Sequence, residues 1–107
     1  MTPQQITAYV GDNVTMYCNT TLVEAVDCRR KLRSADRFEI FCYEGSTVKG
    51  HEDKFSISSP QSGSYVVLIR NVQLNDSGEY QFIEGVDDPH YGTVVLSVSG
   101  NHFDCFP

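Results

Sequence analysis

His51, His90 and His102, cysteines 18, 28, 42 and 105, the carboxylate pair Asp87 and Asp88, and the basic run Arg29, Arg30, Lys31 and Arg33 are the side chains here that could do chemistry. Acyl transfer would need a nucleophile backed by a base. The histidines stand in polar, turn-like stretches, and no Gly-x-Ser-x-Gly motif surrounds a serine. Gly85 and Gly92 are isolated turn glycines and build no phosphate loop. Asp87 and Asp88 offer two carboxylates where calcium takes roughly six to eight oxygens, and no Cys-x-x-Cys spacing points to zinc. The sequence therefore indicates a non-enzyme with no cofactor and no metal.

What remains for the cysteines is disulfide chemistry, and hence an oxidising compartment. Three N-glycosylation sequons agree, at Asn13-Val14-Thr15, Asn19-Thr20-Thr21 and Asn75-Asp76-Ser77. A net charge of −6 argues against nucleic acid, which is held by concentrated lysine and arginine. The chain's 107 residues suit one domain with one core. No signal peptide is evident, and no apolar run approaches the roughly 20 residues that span a bilayer. Met1-Thr2-Pro3 reads as the start of a mature extracellular domain whose membrane anchor lies elsewhere.

The elements that position these residues read as strands. Short alternating runs separated by turn residues recur, and no helical period is sustained. Residues 6–10 form a first edge strand closed by Gly11-Asp12. In 14–18, Val14, Met16 and Cys18 share the face that meets the core. Residues 19–36 are polar and read as one long connection carrying Cys28 and the basic run. Further strands are expected at 37–43, weakly at 48–53, and at 54–58, 64–69, 78–84 and 91–98. The domain is expected over 1–99, with 100–107 a stalk or linker.

Gly11 to Cys18, Phe41-Cys42, Lys54-Phe55-Ser56-Ile57 and Asp76-Ser77-Gly78-Glu79-Tyr80 together resemble an immunoglobulin V-set domain, an all-β sandwich of two antiparallel sheets. The resemblance covers about residues 5 to 98. It implies that Tyr80 returns its hydroxyl to upstream backbone at the corner between strands E and F. Gly78 would permit a backbone angle that a side chain resists, and Lys54 would pair with Asp76. Within the set, the aromatic-Cys pair Phe41-Cys42 resembles the polymeric immunoglobulin receptor family, which includes the Fc mu receptor and single-domain leukocyte receptors. Two departures stand out. Phe82 occupies the strand F cysteine position, so Cys18 lacks its usual partner, and with no tryptophan in the chain Phe41 is expected to fill that core place. The resemblance suggests a Cys28 to Cys42 bridge pinning the long connection onto the outer face of strand C, although sequence alone leaves three complete pairings open. Cys105 is either half of a bond whose partner lies outside the chain or an interchain link.

The resemblance implies an immune-receptor ectodomain that recognises a protein, immunoglobulin included, or a lipid. An adhesion module, self-associating as a homodimer, is the alternative. Arg29, Arg30, Lys31 and Arg33 are expected at one loop end together with Asp87 and Asp88, which also resemble, weakly, the acidic calcium site of T-cell immunoglobulin and mucin receptors. The second expected surface is the outer face of strands G, F, C and C′. Ile40, Tyr43, Ile83 and Tyr91 belong there or in the core behind it.

Overall fold

The computed structural model describes residues 4–19, 26–61, 63–83 and 90–100, with backbone alone at 90 and 91. Among the described residues nine strands follow in order: β1 (Gln4–Tyr9), β2 (Val14–Asn19), β3 (Asp27–Leu32), β4 (Glu39–Tyr43), β5 (Ser46–Thr47), β6 (Phe55–Gln61), β7 (Ser64–Ile69), β8 (Gly78–Ile83) and β9 (His90–Ser99). A 3₁₀ turn, Leu74–Asp76, joins β7 to β8. The strands form one sheet in the order β1-β9-β8-β3-β4-β5 and a second in the order β2-β7-β6. The expected all-β sandwich of two sheets is therefore what forms. Only β1 runs parallel to its neighbour, β9.

Alternation explains the well-read strands. Val14, Met16 and Cys18 point inward from β2, and Tyr65, Val67 and Ile69 from the adjacent β7. Phe41, Phe55, Tyr80, Phe82 and Leu96 complete the core between the sheets. Phe82 is 2% exposed, so an aromatic ring fills the space left by the missing sulfur bridge. Gly11, at φ +94°, supplies the left-handed turn between β1 and β2.

Three expectations need correction. The supposed long connection contains β3, and the segment around Phe41 is β4, one strand further out. Phe41 thus reaches the core from β4, where it stacks on Phe55 at 4.3 Å, while the β3 residue opposite Phe82 is Cys28. Residues 48–53 form no strand; the short extra strand is β5. The reason is binary pattern: the inward positions of β3 are Val26, just before it, then Cys28 and Arg30. An arginine pointing inward breaks the apolar alternation that would reveal a strand.

A bulge shapes β4. Cys28 pairs with Cys42 while Arg29 pairs with Ile40, which leaves Phe41 as the extra residue. The kink turns two consecutive side chains, Phe41 and Cys42, into the interior.

Gly78 is the third correction. Its φ is not positive; glycine is required because a Cβ there would lie 2.4 Å from the backbone oxygen of Lys31 on β3. Close approach of two strands, rather than backbone angle, selects it.

Candidate interaction surface

Two groups of polar side chains emerge from the corrected strand order, one buried and one on the outer face of the six-stranded sheet. The buried group centres on Asp76. Its carboxylate accepts from Arg30 Nη1 at 2.9 Å, lies 2.6 Å from Lys54 Nζ, and accepts from the Gln73 backbone N–H at 2.7 Å. The Lys54–Asp76 ion pair is the one expected from the sequence; Arg30 as its partner was not. Arg30 is 9% exposed, reaches Glu39 at 2.6 Å, and lays its guanidinium over Phe55 at 4.9 Å. Tyr80 Oη donates to the backbone oxygen of Asp76 at 2.5 Å and accepts from Arg30 at 3.1 Å. Burial pushes the Asp76 carboxyl up, but Lys54, the Gln73 N–H and Arg30 outweigh it and hold the group below the usual carboxylate value. Burial likewise pulls Arg30 down, and its hydrogen bonds to Glu39, Tyr80 and Asp76 reverse the direction.

Arg30 is therefore a structural side chain, not a loop-tip contact for a ligand. Arg29 and Lys31 sit on β3 with their side chains on the outer face. Arg33 lies just past the end of β3, where its backbone N–H donates to Ser77 O and its guanidinium to Ser97 Oγ at 3.1 Å. That end carries the β7-to-β8 corner, about 20 Å along the strand from Asp27. Asp27, at the other end of β3, pairs with Ile83. The four bases therefore do not gather at one loop end as expected: three lie along β3, one of them buried, and Arg33 lies past its end. Asp87, Asp88 and Cys105 lie outside the described residues, as does the side chain of Tyr91.

The outer face gathers residues in rows set by register. Thr93, Gln81, Arg29 and Ile40 form one row across β9, β8, β3 and β4; Val95, Glu79 and Lys31 form the next. Arg29 Nε donates to Gln81 Oε1 at 2.7 Å, and Gln81 Nε2 donates to Glu79 Oε1 at 2.9 Å. The Arg29 guanidinium also covers the Phe38 ring at 4.3 Å. These bonds hold the middle of the face in a fixed, charge-balanced pattern. Beside it, Ile40 is 45% and Tyr43 56% exposed. Ile83 is buried at an outward position, outside the inter-sheet core. Sequence reading missed Phe38, Glu79 and Gln81. Parity on β8 could have found the last two, since Tyr80 and Phe82 inward require Glu79 and Gln81 outward.

The cysteines form a separate feature. Cys18, Cys28 and Cys42 are buried free thiols, and Cys28 and Cys42 are in-register neighbours whose side chains hydrogen-bond. That bond first, then burial, pushes the Cys28 thiol well up; burial alone raises Cys18. A bridge between Cys28 and Cys42 would staple two adjacent strands on their inner side instead of pinning a loop to an outer face.

Among the described residues, no group of three or more His, Cys, Asp or Glu side chains is placed to hold a metal, and no helix is long and apolar enough to cross a membrane. A family model for the immunoglobulin V-set domain matches residues 1–95. A search of curated proteins found no match. One similar solved structure is the crystal structure of the ZIG-8 IG1 homodimer, with a TM-score of 0.75 at 13% identity over 92% of this chain and 81% of that one. Some 1778 solved chains match, so the likeness identifies a widely shared architecture and selects no partner.

Proposed function

This chain belongs to the immunoglobulin V-set family, and from that premise we propose that it is an extracellular recognition domain that meets a protein partner through the outer face of its six-stranded sheet. The observation that carries the reading is the exposure of Ile40 and Tyr43 beside a chain of hydrogen bonds that joins Arg29, Gln81 and Glu79 on the same face. A partner covering that patch gains apolar burial at Ile40 and Tyr43, while Arg29 and Glu79 keep the bonds to Gln81 that they already make. Residue patterns alone divided recognition between loop tips and sheet face. Placement of Arg29 and Lys31 on β3 favours the face.

As an immune-receptor head, the domain would stay monomeric until its ligand, protein or lipid, is added. The Phe41-Cys42 pair behind the finer resemblance to the polymeric immunoglobulin receptor family lies on β4, so this reading rests on the face and not on that pair.

Homophilic adhesion is the second reading. A two-fold contact sets a patch against its own copy, and opposite charges side by side, such as Lys31 and Glu79, suit that arrangement. The ZIG-8 IG1 neighbour is described as a homodimer, which makes the same geometry worth testing here. Sedimentation of wild type, Ile40→Asp and Tyr43→Glu across a concentration series separates the readings. Self-association lost in both variants indicates adhesion; a monomer at all concentrations indicates a receptor head. Self-association that survives both substitutions would remove the sheet face from consideration.

A further inference from the structure

We propose that the outer face of the three-stranded sheet is covered by carbohydrate, with an N-linked glycan on Asn19 laying its first N-acetylglucosamine across the ring of Tyr17. Four large hydrophobic side chains are exposed among the described residues. Ile40 and Tyr43 border the six-stranded face already discussed; Tyr17 and Leu74 do not. Each of those two stands next to a sequon asparagine, Tyr17 two residues before Asn19 and Leu74 immediately before Asn75. Tyr17 is the most exposed of the four, at 67%.

Pleating places Tyr17 and Asn19 on the same face of β2, roughly 6.6 Å apart along the strand. The amide linkage and one pyranose ring span that distance. The C–H bonds on one side of the sugar then meet the electron-rich face of the phenol ring, an attraction of the same origin as edge-to-face aromatic contacts.

The rest of the face fits a sugar. Its outward residues are Thr15, Tyr17 and Asn19 on β2, Ser64, Val66 and Leu68 on β7, and serines 56 and 58 on β6. None is charged. Left bare, an uncharged surface with Tyr17, Val66 and Leu68 at its centre is an association hazard, and β2 is an edge of its sheet. A glycan at Asn19 covers both the patch and that edge. The sequon asparagines are all exposed, and none is on the six-stranded sheet: Asn13 precedes β2, Asn19 ends it, and Asn75 lies in the 3₁₀ turn. Sugar on one side leaves the other side bare for protein.

The covalent step is the ordinary one of the secretory pathway. Asn19 Nδ2 forms a bond to C1 of the first sugar of a lipid-pyrophosphate-linked oligosaccharide as the C1–O bond breaks. The amide proton is lost and the lipid pyrophosphate leaves. This inference shares only the extracellular location with the proposed function.

The test is a double-mutant cycle on the secreted, glycosylated chain: wild type, Asn19→Gln, Tyr17→Ser and the double variant, with occupancy of Asn19 read from glycopeptide mass. In wild type, loss of the glycan should lower Tm by about 4 °C, the scale of one aromatic contact in a domain of this size. In the Tyr17→Ser background, its loss should change Tm by less than about 1 °C. The same cycle on bacterially produced, sugar-free protein should show no coupling. An unoccupied Asn19, additive effects in the glycosylated cycle, or equal coupling without sugar would each overturn the proposal. Sedimentation of Asn19→Gln keeps the two proposals apart: the glycan seat stands or falls on Tm, whatever Tyr43→Glu does to association.

Discussion

Asp76 is predicted to outweigh Arg30 in the buried network, although the two face each other at 2.9 Å. Truncation in Asp76→Ala deletes the acceptor for Arg30, Lys54 and the Gln73 N–H together. Lys54 is half-buried and can turn to water. Arg30 cannot, and it keeps only Glu39 and the Tyr80 hydroxyl as partners. Loss of the buried counter-ion, with the half-exposed Glu39 left to offset the charge, costs about 3 kcal/mol, the low end for breaking a buried pair. A domain of this size holds about 5 to 15 kcal/mol, so the variant would retain a small margin, with Tm lowered by roughly 12 °C or more. Arg30→Met removes the other end of the same contact at much lower cost. Met fills the space over Phe55 and Tyr80, the guanidinium no longer has to be desolvated, and Asp76 keeps Lys54 and Gln73. The net loss should be about 1 kcal/mol, the scale of the forfeited cation–π contact. Urea unfolding at neutral pH, with m unchanged between variants, measures both. If Arg30→Met proves as damaging as Asp76→Ala, the carboxylate is not the hub and the argument fails.

The Asp76 carboxyl is also an acid-sensitive element. Its folded pKa lies below the unfolded value of about 3.9, so the unfolded chain takes up the proton first as pH falls; the Asp76 contribution is complete above about pH 5 and shrinks below about pH 4. Urea midpoints of Asp76→Asn should accordingly vary less over that window than those of wild type. Gly78→Ala should cost about 3 kcal/mol through the clash with Lys31 and Leu32 backbone, with unfolding faster or expression lost; a variant within about 0.5 kcal/mol of wild type, the spread of ordinary surface changes, would refute the close approach. Cys18, Cys28 and Cys42 should resist a thiol reagent in the native state and react on unfolding. In a glutathione redox buffer, Cys28 and Cys42 are the pair proposed to lose two protons and two electrons to oxidised glutathione. A bond mapped to Cys18 instead would contradict the register.

Periodic and local features were legible without coordinates. The alternation of β2, β7, β8 and β9 and the Asp76 to Tyr80 corner follow from patterns a few residues long, because pleating and turn chemistry act over that range, while the Lys54–Asp76 pair and the burial of Phe82 came from the resemblance to the V-set pattern. The third strand was illegible for a physical reason. Arg30 is tolerable inside only because Asp76, 46 residues later, meets it there, and no local window holds both. Missing β3 moved the basic residues to a loop tip and Phe41 to the wrong strand, and with them the expected binding end. Residue types and turn spacing determined that two sheets would pack around aromatic rings; tertiary contact alone decided which bases are buried, which thiols are neighbours and which face is left open, since each of these depends on charges and register brought together from distant parts of the chain.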